Sequence, residues 1–248
     1  MRLEGKVAVV TGGGRDIGRA CVMRLAEEGC AVAINYHSSS EGADSAVAEI
    51  TEAGGRAFAL QGDMTNKADV QALVAKAVAD WGKVDIAVAN AGGIVARTPL
   101  LEITAEFLNK VMDLNLTSTL LLAQACLPHM GPGSSIVNVA SQAARDGGGG
   151  GSIAYAASKG AVLTMTRGMA KELGPNIRVN AINPGMIDTD FHNIFTKPEV
   201  RTHVANAAPL KREGLPVDIG NLVVYLASDE SAFMTGTGVD INGGMLFS

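Results

Sequence analysis

The sequence predicts an α/β fold: a doubly wound, Rossmann-type seven-stranded parallel sheet with helices on both faces. Three observations carry this reading. Short β-branched runs alternate with helical patterns along the chain. A glycine-rich turn, residues 12–18, joins the first run to the first helix. Turn-forming and polar residues then follow the strands at one end, where open α/β sheets place their ligands.

Residues 6–11, KVAVVT, read as a buried first strand, and 19–28 as a helix stopped by Gly29. Residues 31–36 make a second strand, 41–53 a helix ended by Gly54 and Gly55, and 57–61 a third strand. A helix at 67–81 is closed by Gly82, and 84–89 is the fourth strand. A long helix at about 104–129 leads to a strand at 135–140, a helix holding Tyr155 and ending near 173, and a strand at 177–182. A helix near 217–228 precedes a last strand at 239–241. Strands separated by helices pair in parallel through right-handed crossovers, which bury the sheet on both faces. Residues 1–248 are expected to form one domain, with the long irregular segment 185–216 as a candidate substrate lid.

Composition excludes several classes. A net charge of −5, a pI near 5.4 and no lysine/arginine cluster argue against a nucleic-acid partner. Charges interrupt the apolar runs short of a membrane span, and the N-terminus lacks a secretory pattern, so no membrane is expected and the cytoplasm is the expected location. The three cysteines, Cys21, Cys30 and Cys126, fall singly, and His37, His129, His192 and His203 are scattered; no metal site is expected.

The chemistry is concentrated in residues 141–159, SQAARDGGGGGSIAYAASK. Tyr155 and Lys159 stand one helical turn apart on one face. A free phenol has a pKa near ~10. An ammonium ~4 Å away, at an effective dielectric of ~20, favours the phenolate by up to ~4 kcal/mol, or as much as ~3 pKa units. Tyr155 is therefore expected near the working pH, close to Lys159. Ser141 ends the apolar strand pattern SSIVNVA, at the edge where a ligand would sit. The run Gly147 to Gly151 is read as a mobile or close-packed wall beside it.

Around this trio lie cofactor candidates. Gly12, Gly14, Arg15, Asp16, Ile17 and Gly18 open a helix whose amides and dipole suit a pyrophosphate. Asp63, followed by Met64, is placed to bond an adenine amine, and Asn90, Ala91 and Gly92 let the backbone approach a cofactor at mid-sheet. Pro184, Gly185, Ile187 and Thr189 add a rigid turn and a hydroxyl that can reach a nicotinamide amide or a phosphate. Gly93, Ile94, Gln142, Met186, Phe191 and His192 are candidates for the substrate pocket.

With these residues assembled, the whole chain resembles the short-chain dehydrogenase/reductase family, single-domain type, and is similar to its 3-oxoacyl-carrier-protein reductases. TGGGRDIG matches the family's cofactor turn, ANAG its N-N-A-G element, and Asn115 in DLNL, with Ser141, Tyr155 and Lys159, its catalytic tetrad. TGTGVDINGG resembles its C-terminal signature. Asp16 departs from the family's middle glycine. Aspartate tolerates left-handed backbone angles and caps helices well, but its charge beside a pyrophosphate is unfavourable unless Arg15 offsets it.

The resemblance implies that Ser141 bonds the substrate oxygen, Tyr155 donates the proton, Lys159 also holds the nicotinamide ribose, and Asn115 holds a water. Tyr36 occupies the place where an NAD site carries a carboxylate, and Arg15 can reach a 2′-phosphate there, so NADP(H) is expected over NAD(H). The expected reaction interconverts a ketone, a 3-oxoacyl thioester among the candidates, and a secondary alcohol. A non-catalytic dinucleotide sensor and an NAD-dependent sugar or alcohol dehydrogenase are the alternatives. Apolar helix surfaces, as in TSTLLLAQACL, together with the resemblance, imply a homotetramer.

Overall fold

In the computed structural model, which describes residues 1–247, the chain starts with β1 (Val7–Val10), α1 (Asp16–Glu27), β2 (Ala31–Tyr36), α2 (Ser40–Glu52), β3 (Arg56–Gln61), α3 (Lys67–Trp81) and β4 (Ile86–Ala89). It continues through α4 (Ala105–Met112), a π turn (Asp113–Thr117), α5 (Ser118–Cys126), β5 (Ser134–Val139), α6 (Ala143–Asp146), α7 (Ile153–Leu173) and β6 (Ile177–Pro184). Last come α8 (Asp190–Phe195), α9 (Pro198–Ala207), α10 (Pro216–Ala227) and β7 (Gly238–Ile241). Every strand pair is parallel, as the alternating pattern predicts, and the strands lie in the order β3-β2-β1-β4-β5-β6-β7.

Local chemistry sets the element ends. Asn66 accepts from the Ala68 amide at 2.9 Å to start α3, which Gly82 ends at φ +80°. Thr104 caps α4 by accepting from the Phe107 amide at 3.1 Å.

Helices α1, α2 and α10 cover one face of the sheet, where Leu25, Ile50 and Val223 meet Val10 and Ile34. Helices α3, α5 and α7 cover the other, where Leu73, Leu122 and Ala170 meet Val9 and Ala33. Burying one such leucine or isoleucine is worth roughly 1.5–3 kcal/mol, against ~1 kcal/mol net for an ordinary hydrogen bond. The apolar layers therefore fix the sheet, and polar contacts adjust the loops at its edge.

Three expectations need correction. The predicted long helix at 104–129 is interrupted by the π turn around Asn115. Residues 185–216 are not irregular: α8 and α9 occupy much of the segment, the second opened by Pro198 at its first position. Helix α6 follows Ser141, between the strand at 135–140 and the helix of Tyr155, where the sequence pattern predicts no helix. No helix among the described residues is long and apolar enough to cross a membrane.

The strand order reverses between β1 and β4, and the crevice beyond their carboxyl ends is where doubly wound sheets bind ligands. Thr11 and Gly12 follow one of these strands, and Asn90 and Ala91 the other.

Candidate active site

The turn after β1 is pinned from both sides. Gly12 N donates to Asn35 Oδ1 at 3.1 Å, and the buried Asn35 donates through Nδ2 to Gly62 O at 3.0 Å. Asn90 Nδ2 donates to Thr11 O and Gly12 O at 3.0 and 3.1 Å, while Thr11 Oγ1 accepts from the Asn90 and Ala91 amides, both at 3.0 Å. Gly12 holds φ +64°, and a Cβ on Gly18 would collide with Gly12 O. A Cβ on Gly14 would lie 2.6 Å from Ser39 O. Gly12 and Gly18 press the turn onto the start of α1, and Gly14 lets it meet Ser39 before α2; the first amides of α1 have no earlier helical carbonyl to meet and suit an anion. The cradle fits a dinucleotide pyrophosphate. Thr11 and Asn35 were not singled out from sequence; their position at the carboxyl ends of β1 and β2 was the available signal.

Asp16 takes the left-handed backbone expected of it, at φ +50°. It does not cap its own helix, whose cap position is Arg15. Its Oδ1 instead accepts from the Asp190 amide at 3.2 Å, at the start of α8. Burial pushes the Asp16 carboxyl up, against the pull of that amide. Arg15 stands 3.9 Å from Asp16 and 3.7 Å from Asp190. Ile17 and Tyr36 are half-buried against the core.

Asp63 accepts from Thr65 N and Thr65 Oγ1, each at 2.8 Å, which holds its acid below the usual range. The Met64 side chain lies in the core, 5% exposed, so its backbone is the part left to meet a cofactor. Pro184 ends β6, and Gly185 follows where a Cβ would lie 2.7 Å from that of Asn242. Ile187 is buried, and Thr189 donates its hydroxyl proton to Ile187 O at 3.1 Å, leaving its oxygen free only to accept.

The four residues expected at the reacting carbonyl sit on three elements. Ser141 follows β5, Tyr155 and Lys159 project from α7, and Asn115 lies in the π turn, a distortion frequent at functional sites. Ser141 Oγ accepts from Ala143 N at 3.1 Å, so its proton remains available to donate. A Cβ on Gly92 would lie 2.6 Å from Asn115 Oδ1 and 3.2 Å from Lys159 Nζ, which shows how closely the three meet.

One role differs from expectation. Lys159 Nζ donates to Val139 O at 2.7 Å and stands 5.9 Å from the centroid of the Tyr155 ring. Burial pushes the Tyr155 phenol up while the Ser141 side chain pulls it down, so the phenol stays protonated at neutral pH. Burial also lowers Lys159 to about 8. The reason is depth: one helical turn separates the two, but Lys159 points past the ring to the buried end of β5. Asn115 Nδ2 spends both protons on Gly93 O and Val111 O, each at 2.9 Å, and Oδ1 accepts from Gly93 N at 3.0 Å. Its amide brackets the loop after β4, and its Oδ1 keeps one lone pair for a water that donates.

Of the substrate candidates, Phe191 stands with its ring 6.0 Å from that of Tyr155, and His192 meets Phe191 edge-on at 5.0 Å. His192 Nδ1 pairs with Thr196 Oγ1 at 2.9 Å, and burial lowers the imidazole to about 4, so it is neutral. Gln142 lies beside Gly185, its Nε2 donating to Asp146. Gly93 is held by Asn115, but Ile94 is buried at 2% exposure and Met186 lines a different cavity. That cavity, of about 370 Å³ between α9, α10 and β7, is walled by Val204, Leu210 and Ile241 and by none of Ser141, Tyr155 or Phe191. The glycine run is closely packed at its end, where Thr98 N donates to Gly151 O at 2.9 Å and a Cβ on Gly151 would lie 3.0 Å from that of Arg97, whereas Gly147 and Gly150 are exposed, with open space where a Cβ would stand.

Comparison with known proteins points one way. The family model described as enoyl-(acyl carrier protein) reductase matches residues 12–246. An uncharacterised oxidoreductase of Methylorubrum extorquens is 38% identical over 247 residues, covering 98% of this chain and 99% of that protein. A blue fluorescent protein from a metagenomic library, solved in complex with NADPH, is 37% identical with a TM-score of 0.93 over 100% of both chains. A short-chain dehydrogenase of Burkholderia cenocepacia J2315, solved with NADP, is 35% identical with a TM-score of 0.92, covering 98% of this chain and 99% of that one. Matched along nearly its whole length in both sequence and fold, the chain belongs to the short-chain dehydrogenase/reductase family of oxidoreductases.

Proposed function

We propose that the chain is an NADP(H)-dependent reductase, a single cytoplasmic domain with 185–216 as its lid, that interconverts a ketone and a secondary alcohol. The observation that carries the reading is the meeting of the Ser141 hydroxyl, the Tyr155 phenol and Lys159 beside the glycine cradle. Ser141 donates to the carbonyl oxygen, and the protonated Tyr155 supplies the proton that oxygen gains. A positioned donor to a developing alkoxide is worth on the order of 10²–10³ in rate. Lys159 places a buried positive charge beneath the ring and within reach of a ribose. The nicotinamide, when bound, supplies the hydride.

NADPH and NADP in the two similar structures support the cofactor class. Within this chain, Asn35 and Tyr36 leave the tip of β2 without a carboxylate, and Arg15 is 56% exposed at the same corner, open to a 2′-phosphate. The expected result is a higher kcat/KM with NADPH than with NADH. Arg15→Ala erodes that preference and Tyr36→Asp shifts it toward NADH. Equal or better efficiency with NADH in the unmutated protein would show that Arg15 serves only Asp16 and Asp190.

The substrate test is NADPH oxidation against ketones, diketones, 3-oxoacyl thioesters and 2-enoyl thioesters. Turnover confined to one class names the substrate type. NADPH binding without turnover across the panel points to a dinucleotide sensor, and activity restricted to sugars or simple alcohols with NAD to the other alternative.

The same reading includes a homotetramer. Leu101 is 99% exposed, and Leu108 and Leu120 leave an apolar edge along α4 and α5. Sedimentation at micromolar concentration is expected to show a species several times heavier than 25.5 kDa, and a 25.5 kDa species alone would count against it.

A further inference from the structure

Helix α8 carries Phe191 to within 6.0 Å of Tyr155, yet it has only six residues. Helices shorter than ~12 residues are marginal in water by themselves. Its cap residue, Thr189, makes no side-chain cap, because its hydroxyl is turned to Ile187 O. The helix is held from outside.

At its first residue, the Asp190 amide donates to Asp16 Oδ1 at 3.2 Å, and the Asp190 carboxylate faces Arg15 at 3.7 Å. At its last, Phe195 O accepts from Arg97 Nε at 2.7 Å, while Arg97 Nη1 donates to Gly150 O at 2.9 Å. Arg97 is aimed by a strained turn: Val95 sits at φ +64°, with Ala96 N donating to Ile94 O at 2.7 Å. A β-branched residue in that region persists only where its surroundings impose it. Behind the helix, Arg201 pairs with Asp188 at 2.6 Å and Glu213 at 2.5 Å, and bonds Asn193. The end contacts thus come from the cofactor turn and from the loop after β4, two walls of the crevice.

We propose that Asp16 and Arg97 are positioning residues that clamp the two ends of α8, so that the ring over Tyr155 is ordered by the walls of the dinucleotide and substrate sites. This accounts for an acid where the family pattern has glycine: its charge is unfavourable near a pyrophosphate, but its oxygen completes a helix that cannot cap itself. The clamp is a property of the folded chain; its effect on substrate capture rests on the reductase reading.

Hydrogen-exchange mass spectrometry on the full chain tests the clamp without turnover. The amides of His192, Asn193 and Thr196, bonded to Thr189 O and His192 O at 3.0–3.1 Å, are expected to exchange about tenfold faster in Asp16→Ala and in Arg97→Ala. Asp16→Asn keeps an acceptor oxygen and is expected to retain protection. In steady state, the carbonyl KM of Asp16→Ala is expected to rise about tenfold while its NADPH dissociation constant holds or falls. Unchanged exchange in both alanine variants, at unchanged melting temperature, overturns the clamp. So does an Asp16→Ala variant whose NADPH affinity drops as much as its carbonyl KM rises, because Asp16 would then serve the cofactor. If the unmutated protein oxidises NADPH with no carbonyl, the reductase reading fails, and exchange still decides the clamp.

Discussion

Tyr155→Phe is expected to lower kcat/KM for carbonyl reduction by more than about a hundredfold while the dinucleotide still binds. The substitution removes one oxygen and leaves the half-buried ring in place against Phe191. Ser141 keeps its contact with Ala143 and still polarises the carbonyl, so the loss isolates proton donation. Because burial holds the phenol protonated at neutral pH, the missing group is the acid of the reduction, not a base. Residual activity above about a hundredth of the unmutated rate, in single-turnover assays at saturating NADPH, would remove Tyr155 from that role.

Lys159→Met is expected to cost turnover and dinucleotide affinity together, and to raise the melting temperature at pH 7. Lys159 is 4% exposed, and burial lowers its ammonium to about 8. In the unfolded chain a lysine holds its proton up to about 10.4. The unfolded state therefore binds more protons between these values, so stability rises as pH climbs from about 8 toward 10.4. Below about 8 the charged, buried lysine costs the fold up to roughly 3 kcal/mol. Methionine fills a similar volume without the charge, and leaves Val139 O short of one hydrogen bond worth ~1 kcal/mol. The net gain of ~2 kcal/mol corresponds to roughly 4–8 °C at pH 7. Thermal unfolding at pH 7 and pH 9.5 checks this, since the advantage should shrink at the higher pH. An unchanged or lower melting temperature at pH 7 would mean that the site already compensates the charge. In the unmutated protein, reduction is expected to decline as pH rises through about 8, with Lys159 losing its proton.

Much of this site was legible in the sequence because its residues follow strand ends, and strand ends follow from period and β-branching. Gly12, Asn90, Ser141 and Pro184 each come at or just past such an end, and a parallel sheet brings those ends to one edge whatever the intervening helices contain. The Tyr155 and Lys159 pair was visible from helical spacing, yet spacing gives direction along a helix and not depth. Arg97 was invisible: it lies in an irregular loop, and its partners Gly150 and Phe195 are 53 and 98 residues away.

The sequence by itself determined the doubly wound sheet and the residues gathered at its carboxyl edge, because apolar periodicity and glycine placement are local and the crossover rule is general. Only the tertiary structure decided that Lys159 donates to the end of β5, that Asp16 accepts from the first amide of α8 rather than capping its own helix, and that much of residues 185–216 is helical. Each of these turns on which distant group arrives within about 3 Å of a donor, and hydrogen-bond energy falls away so steeply beyond that range that no pattern along the chain records it.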